Sequence, residues 1–132
     1  MNNGRVALLK DIVVDARHPA SIARFWAAAL DGVDVARYDA AELERLRSIG
    51  VYDTEDDPTV VVEGAGMANR LLFQRVPEAK VAKNRLHLDQ TAADVEAEVH
   101  RLKELGARVI ASFPNHVVLA DPEENEFCVG PR

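Results

Sequence analysis

Two stretches of equal length decide the fold: DARHPASIARFWAAALDG, residues 15–32, and DQTAADVEAEVHRLKELG, residues 89–106. Asp15 lies seventeen residues before Gly32, and Asp89 lies seventeen residues before Gly106. Between them, apolar residues recur at spacings of three and four, which is typical of an amphipathic helix that ends at glycine. Both stretches begin at the end of a predicted strand and precede further strands. The sequence therefore predicts two successive copies of a βαβββ unit.

The copies form one predicted domain, residues 1–132, with module one at about 5–76 and module two at about 84–130. The predicted class is α+β: the modules form a curved, cup-shaped mixed sheet with the helices outside. A further helix at 40–49 belongs to module one, and a helix capped by Thr91 ends at Leu105. Strands are predicted from runs of β-branched residues, at 5–14, 33–36, 59–63, 71–76, 85–89, 107–111, 117–120 and 126–129.

Composition limits the classes of function. Of the residues, 48% are hydrophobic and 29% are charged, which is ordinary for a globular protein. The net charge of −6 argues against nucleic acid as a partner, because phosphate binding needs a basic surface. No apolar run is long enough to span a membrane. Cys128 is the single cysteine, and the first residues have no signal-peptide pattern, so we expect a cytoplasmic protein.

The segment KNRLHLD, residues 83–89, carries the strongest site pattern. In a strand, Arg85, His87 and Asp89 would share one face, and the two leucines between them would share the other. Such a polar face lies either against solvent or along the wall of a site. We favour the wall, because a βαβββ sheet covered by its helix on one side leaves its other face to a ligand or a partner.

Four segments in this order resemble the vicinal oxygen chelate superfamily, and its glyoxalase-like domains in particular: DARHPASIARFWAAAL, RVPEAKVAKNRLHLD, LKELGA and LADPEENEFCVG. The resemblance implies paired βαβββ modules around a cup-shaped site. Members include glyoxalases, extradiol dioxygenases, epimerases, thiol transferases that act on fosfomycin, and metal-free proteins that sequester bleomycin-type drugs. Members often pair to complete their cups, so the resemblance also implies a homodimer.

The resemblance further implies where a metal would bind. Catalytic members hold a divalent ion with residues from the first and last strand of each module. Those positions correspond here to Asp11, Gln74, His87 and Cys128. Imidazole, carboxylate and thiolate suit zinc or nickel better than magnesium. Two of the four depart from the family pattern, since histidine or glutamine is usual at Asp11 and glutamate is usual at Cys128.

Two classes of function follow. The favoured hypothesis is a binding protein that holds a small oxygenated or aromatic metabolite without a conventional metal site. The alternative is a metal-dependent lyase, isomerase or dioxygenase, in which the ion polarises neighbouring oxygens. Whether the protein is an enzyme stays open at this point. The predicted ligand-binding residues are Asp11, Gln74, Arg85, His87, Asp89, His116, Glu126 and Cys128.

Three residues also have simple structural interpretations. Trp26 lies on the apolar stripe of its helix and is expected in the core. Cys128 suits a last strand as a small apolar side chain. Glu124 replaces the glycine of the family's DP-x-G turn. A positive φ there would cost about 1 kcal/mol, so we expect the turn to have changed type.

Overall fold

The computed structural model describes residues 7–132, and the predicted start of the first strand, at Arg5, lies outside them. Module one comprises β1 (Asp11–Ala16), α1 (Pro19–Ala29), β2 (Asp34–Val35), α2 (Ala40–Ser48), β3 (Thr59–Glu63) and β4 (Arg70–Arg75). Module two comprises β5 (Leu88–Ala92), α3 (Val95–Glu104), β6 (Arg108–Phe113), β7 (His116–Ala120) and β8 (Glu126–Pro131). A single 3₁₀ turn, Thr54–Asp56, precedes β3.

Each module builds its own four-stranded sheet, with the orders β1-β4-β3-β2 and β5-β8-β7-β6. The first strand of each module pairs in parallel with the last, and the remaining pairs are antiparallel. Among residues 7–132, the other edge of each first strand is therefore unpaired. This arrangement confirms the predicted α+β class and the doubled βαβββ order, with α2 as the additional helix of module one.

One hydrophobic core joins the modules. Each sheet turns one face to it, through Leu71 and Phe73 in module one and Phe127 and Val129 in module two. From α1, Trp26 places its ring centroid 4.9 Å from that of Phe127. Helix α1 thus packs on its own sheet and also on the strand β8 of the other module. The prediction that Trp26 is a core residue is confirmed, since it is 2% exposed.

The entry into α3 differs from the prediction. Strand β5 begins at Leu88, so Arg85 and His87 lie in the segment that precedes the strand. Thr91 belongs to β5 and does not cap the helix. The cap is Asp94, whose carboxylate accepts a hydrogen bond from the backbone N–H of Ala97 at 3.0 Å.

The turn between β7 and β8 also differs from the prediction. Glu124 keeps a φ of 72°, the left-handed conformation that favours glycine. Its backbone N–H donates to the carbonyl of Asp121 at 2.9 Å, and Asp121 accepts from Glu123 and Asn125. The turn has therefore kept its type, because the carboxylate of Asp121 fixes it from within. Within residues 7–132, no helix is long and apolar enough to cross a membrane.

Candidate functional site

The two sheets place corresponding residues opposite one another. In the strand register, Ile12 pairs with Leu71, and Leu88 pairs with Phe127. Strands β4 and β8 both have six residues, and β1 and β5 both end in an alanine two residues before the helix cap. The correspondence matches three pairs of positions across the modules: Asp11 with His87, Arg70 with Glu126, and Leu72 with Cys128.

In module one, the position that corresponds to His87 is occupied by an ion pair. Asp11 and Arg70 are register partners, and the Arg70 guanidinium donates two hydrogen bonds to the Asp11 carboxylate, at 2.8 and 3.1 Å. Glu63 lies 3.7 Å from the same guanidinium. The hydrogen bond from Arg70 lowers the pKa of Asp11. Asp11 is thus neutralised by a neighbour that the sequence analysis did not single out.

In module two, the corresponding position carries a histidine and a glutamate. The Nε2 atom of His87 lies 3.8 Å from Oε2 of Glu126, which accepts a hydrogen bond from Nζ of Lys83 at 2.8 Å. Nζ of Lys83 also lies 3.4 Å from Nε2 of His87. The hydrogen bond from Lys83 lowers the pKa of Glu126. These three side chains form a compact polar group just before β5 and at the start of β8.

Cys128 lies two residues beyond Glu126 on the same face of β8 and is the register partner of Asp89. Burial raises the pKa of its thiol above the ordinary value, and the neighbouring charge of Asp89 raises it further. The thiol is therefore protonated at neutral pH. A nucleophile has to be the thiolate, so this environment opposes a nucleophilic role.

The remaining predicted residues lie in separate surroundings. Gln74 donates to Oδ1 of Asp15 at 2.7 Å, and register makes it the counterpart of Gly130 and not of Cys128. His116 begins β7, where its ring stacks on that of Phe113 with a centroid distance of 4.7 Å. Its Nδ1 atom lies 2.9 Å from Oδ1 of Asn115.

A cavity of about 700 Å³ opens along the free edge of β1. Its apolar wall includes Ile12, Trp26 and Phe73, and the segment that leads to β5 closes the other side. Arg85 and Glu126 line this cavity, whereas His87 and Asp89 line a second cavity that shares Ile12, Trp26 and Leu88 with the first. Neither of these two cavities is lined by the other predicted residues, Asp11, Gln74, His116 and Cys128.

The predicted metal ligands do not converge in the structure. Within residues 7–132, no three histidine, cysteine, aspartate or glutamate side chains are grouped so that they could hold a metal ion. Asp11 is bound by Arg70, and the position of module one that corresponds to Cys128 is the apolar Leu72. The donor chemistry of these residues therefore does not fit a conventional divalent ion.

Two acidic residues of the β7–β8 turn were not predicted as important. Asp121, which is 2% exposed, accepts a hydrogen bond from Nε1 of Trp26 at 3.0 Å. Glu123 accepts from the backbone N–H groups of Arg17 and His18, at 2.6 and 3.0 Å, just before α1. Both side chains line the 700 Å³ cavity and connect module two to the start of α1 and to Trp26 in module one. The Asp-Pro-Glu sequence marked a turn, but its contact with α1 depends on tertiary structure.

The comparisons agree with this architecture. A family model for the glyoxalase-like domain matches residues 11–130. The fosfomycin resistance protein FosX from Mesorhizobium loti is 11% identical, with a TM-score of 0.65 over 97% of this chain and 94% of that chain. A glyoxalase/bleomycin resistance protein/dioxygenase family enzyme from Burkholderia phytofirmans is 15% identical, with a TM-score of 0.64 over 95% and 98%.

The trypanothione-dependent glyoxalase I of Leishmania major is 12% identical, with a TM-score of 0.60 over 96% of this chain and 87% of that chain. At these identities, the solved structures establish the fold alone. No curated protein matches this chain.

Proposed function

Because the chain belongs to the glyoxalase-like domain family, we propose that it binds a small oxygenated or aromatic metabolite in the cavity beside β1, without a catalytic divalent metal. The cavity's volume of about 700 Å³ is suited to such a molecule. Ile12, Trp26 and Phe73 would pack against the apolar part of the ligand. Arg85 and Glu126 would form hydrogen bonds with the oxygens of the ligand, and His87 would hold Glu126 in position.

The observation that carries the metal-free proposal is the Asp11–Arg70 ion pair. A guanidinium beside the first ligand position repels a divalent cation, and it occupies both carboxylate oxygens. A metal ion held by His87 would then have no ligand from module one. In this protein, His87 and Glu126 would serve as hydrogen-bonding groups.

Metal analysis tests this proposal most directly. Protein purified without chelators is incubated with Zn²⁺ or Ni²⁺, dialysed and analysed for bound metal. We expect far less than one ion per chain, with no difference between the wild type and His87→Ala. Stoichiometric metal that is lost in His87→Ala would overturn the proposal and favour the metal-dependent lyase, isomerase or dioxygenase.

Binding is tested with catechol, a small oxygenated aromatic probe, through the fluorescence of Trp26. We expect saturable quenching that weakens about tenfold in Arg85→Ala, which corresponds to about 1.4 kcal/mol. Arg75→Ala is the matched control, because Arg75 bonds to the backbone of Asp56 and does not line the cavity. Equal weakening in both variants would mean that quenching does not report this site.

We further propose that the chain forms a homodimer. Two exposed apolar side chains support a partner on the open sheet surfaces, Val13 at 51% and Phe113 at 51% exposure. Sedimentation equilibrium of the wild type and of Phe113→Asp tests this, because Val13 also lines the cavity beside β1. A monomeric wild type at tens of micromolar would contradict the homodimer without affecting the binding proposal.

A further inference from the structure

The segment that joins β4 to β5 forms one side of the cavity beside β1 and carries a positive charge. Residues 77–87, PEAKVAKNRLH, contain three cations and one carboxylate, and all four of these residues line the cavity: Lys80, Lys83, Arg85 and Glu78. Another part of the wall is apolar, since Trp26 and Phe73 are core residues that also line it. The cavity thus combines an apolar wall with a charged side on one short segment.

Four further carboxylates line this cavity, and each accepts a hydrogen bond from another group of the protein. Glu126 is paired with Lys83 at 2.8 Å. Glu123 accepts from two backbone N–H groups just before α1, where the helix dipole favours a negative charge. Asp121 accepts from an indole and Asp15 from a side-chain amide. The protein itself therefore supplies donors to all four.

Two of the cations have no such partner. Among residues 7–132, neither Lys80 nor Arg85 forms a side-chain hydrogen bond or an ion pair. The hydrogen bond from Lys83 lowers the pKa of Glu126 most, and the charge of Lys80 lowers it further, so Lys80 acts on the same part of the cavity. In the described part of the chain, Glu78 is the one lining carboxylate without a donor. Two cations beside one carboxylate leave a surplus of one positive charge, which matches a single negative charge on a ligand.

We propose that the ligand of this cavity is a monoanionic aromatic carboxylate, which Arg85 binds through the carboxylate while the ring packs on Trp26 and Phe73. This inference rests on the function proposed above and specifies the charge of the ligand. A guanidinium donates two parallel hydrogen bonds to a carboxylate, whereas an ammonium such as that of Lys80 acts as a point charge. Arg85 is therefore the residue that determines specificity.

Benzoate and benzamide form a matched pair of probes, because they have similar shapes and only benzoate is charged at pH 7. Isothermal titration calorimetry of the wild type measures both. We expect benzoate to bind about tenfold more tightly at low salt. The preference should shrink at about 0.5 M NaCl, because salt screens exposed charges. Saturating catechol should weaken the binding of both probes, which shows that they share its cavity.

Substitutions on the segment should act in opposite directions. Arg85→Gln should abolish the preference for benzoate, and Arg85→Lys, which keeps the charge without the planar fork, should retain part of it. Glu78→Gln removes the carboxylate without a donor, so benzoate should bind about twofold more tightly while benzamide is unaffected. Arg75→Ala, outside the cavity, is the control and should keep the tenfold preference.

Equal binding of benzoate and benzamide by the wild type overturns this inference and leaves the proposed function standing, since a neutral ligand is then sufficient. That comparison needs no variant to fold. An undiminished preference in Arg85→Gln overturns the role of Arg85. If neither probe binds, the inference fails as well, and the quenching of Trp26 by catechol decides separately whether the proposed function stands.

Discussion

The helices of the two modules occupy corresponding places but differ sharply in burial. Helix α1 buries seven of its residues, Pro19, Ala20, Ile22, Ala23, Phe25, Trp26 and Ala29. Helix α3 buries Leu102 alone and carries ion pairs such as Glu98–Arg101. The reason is position: α1 packs on its own sheet and reaches Phe127 in the other, whereas α3 packs on its own sheet and contacts module one through hydrogen bonds from Arg101 to the carbonyls of Ala28 and Ala29.

This difference shows that a sequence repeat does not make the modules equal in the fold. Helix α1 contacts both modules in the core, and α3 covers one sheet from outside. Changes where α1 meets module two should therefore affect the whole protein. Changes at the partly exposed positions under α3 should cost much less.

The largest expected effect is that of Phe127→Ala. Phe127 is fully buried, and its ring centroid lies 6.3 Å from Phe25 and 4.9 Å from Trp26. Removing it leaves a cavity between the modules, so the free energy of unfolding should fall by about 3–5 kcal/mol. Val99→Ala, under α3, should cost about 1 kcal/mol because Val99 is partly exposed. Urea denaturation measures both, and similar losses would contradict the special position of α1.

Trp26→Phe tests the polar link between α1 and module two. The variant removes the indole donor from buried Asp121, so we expect a loss of about 1–2 kcal/mol at pH 7. Burial raises the pKa of Asp121, and the hydrogen bond from Trp26 opposes that shift. Without the donor, the pKa of folded Asp121 rises further, and the folded state keeps its proton to higher pH. The cost of the variant should therefore be smaller at pH 4 than at pH 7. Urea denaturation at both pH values checks this, and a cost independent of pH would contradict the hydrogen bond to an ionised Asp121.

The repeat was predictable because helix periodicity and the terminal glycines are local signals. The equal spacings of seventeen residues, however, begin at aspartates that do not correspond in the structure. Asp15 lies four residues before the first residue of α1, and Asp89 lies six before that of α3. By strand register, Asp15 corresponds to Thr91 and not to Asp89. Sequence spacing identified the order of elements, whereas the register became visible only through strand pairing.

The site was less predictable than the fold for a physical reason. Arg85, His87 and Glu126 lie near the segment that sequence patterning singled out. Arg70 and Lys83, which neutralise the predicted carboxylates, were not predicted as site residues, although Lys83 begins that segment, because charged residues are common everywhere along the chain. Their importance depends on contacts over 59 and 43 residues of sequence. No local sequence pattern indicates which residues will meet over such long separations in the chain.

The turns before the last strands give a smaller contrast between the modules. In module one, a side chain at Gly66 would place its Cβ 2.0 Å from the carbonyl oxygen of Asp31, so glycine is required. In module two, Glu124 adopts a φ of 72° without being glycine. Glu124→Gly should therefore raise the free energy of unfolding by about 0.5–1 kcal/mol. Arg108→Gln, which removes the ion pair with Glu124 and leaves φ unchanged, is the control for thermal denaturation. A destabilised Glu124→Gly would show that the ion pair outweighs the strain.

On the open sheet faces, Asp89 of module two and Asp15 of module one have different neighbours. Asp89 raises the pKa of the Cys128 thiol, although burial contributes more, and Asp15 is bound by Gln74. Asp89→Asn should lower the thiol pKa and increase the thiolate fraction at pH 8. Because a thiolate of lower pKa is also a weaker nucleophile, alkylation by iodoacetamide should accelerate only about two- to threefold. Asp15→Asn should leave the rate unchanged. An unchanged rate in Asp89→Asn would mean that burial alone sets the state of the thiol, and that the charge of Asp89 does not reach it.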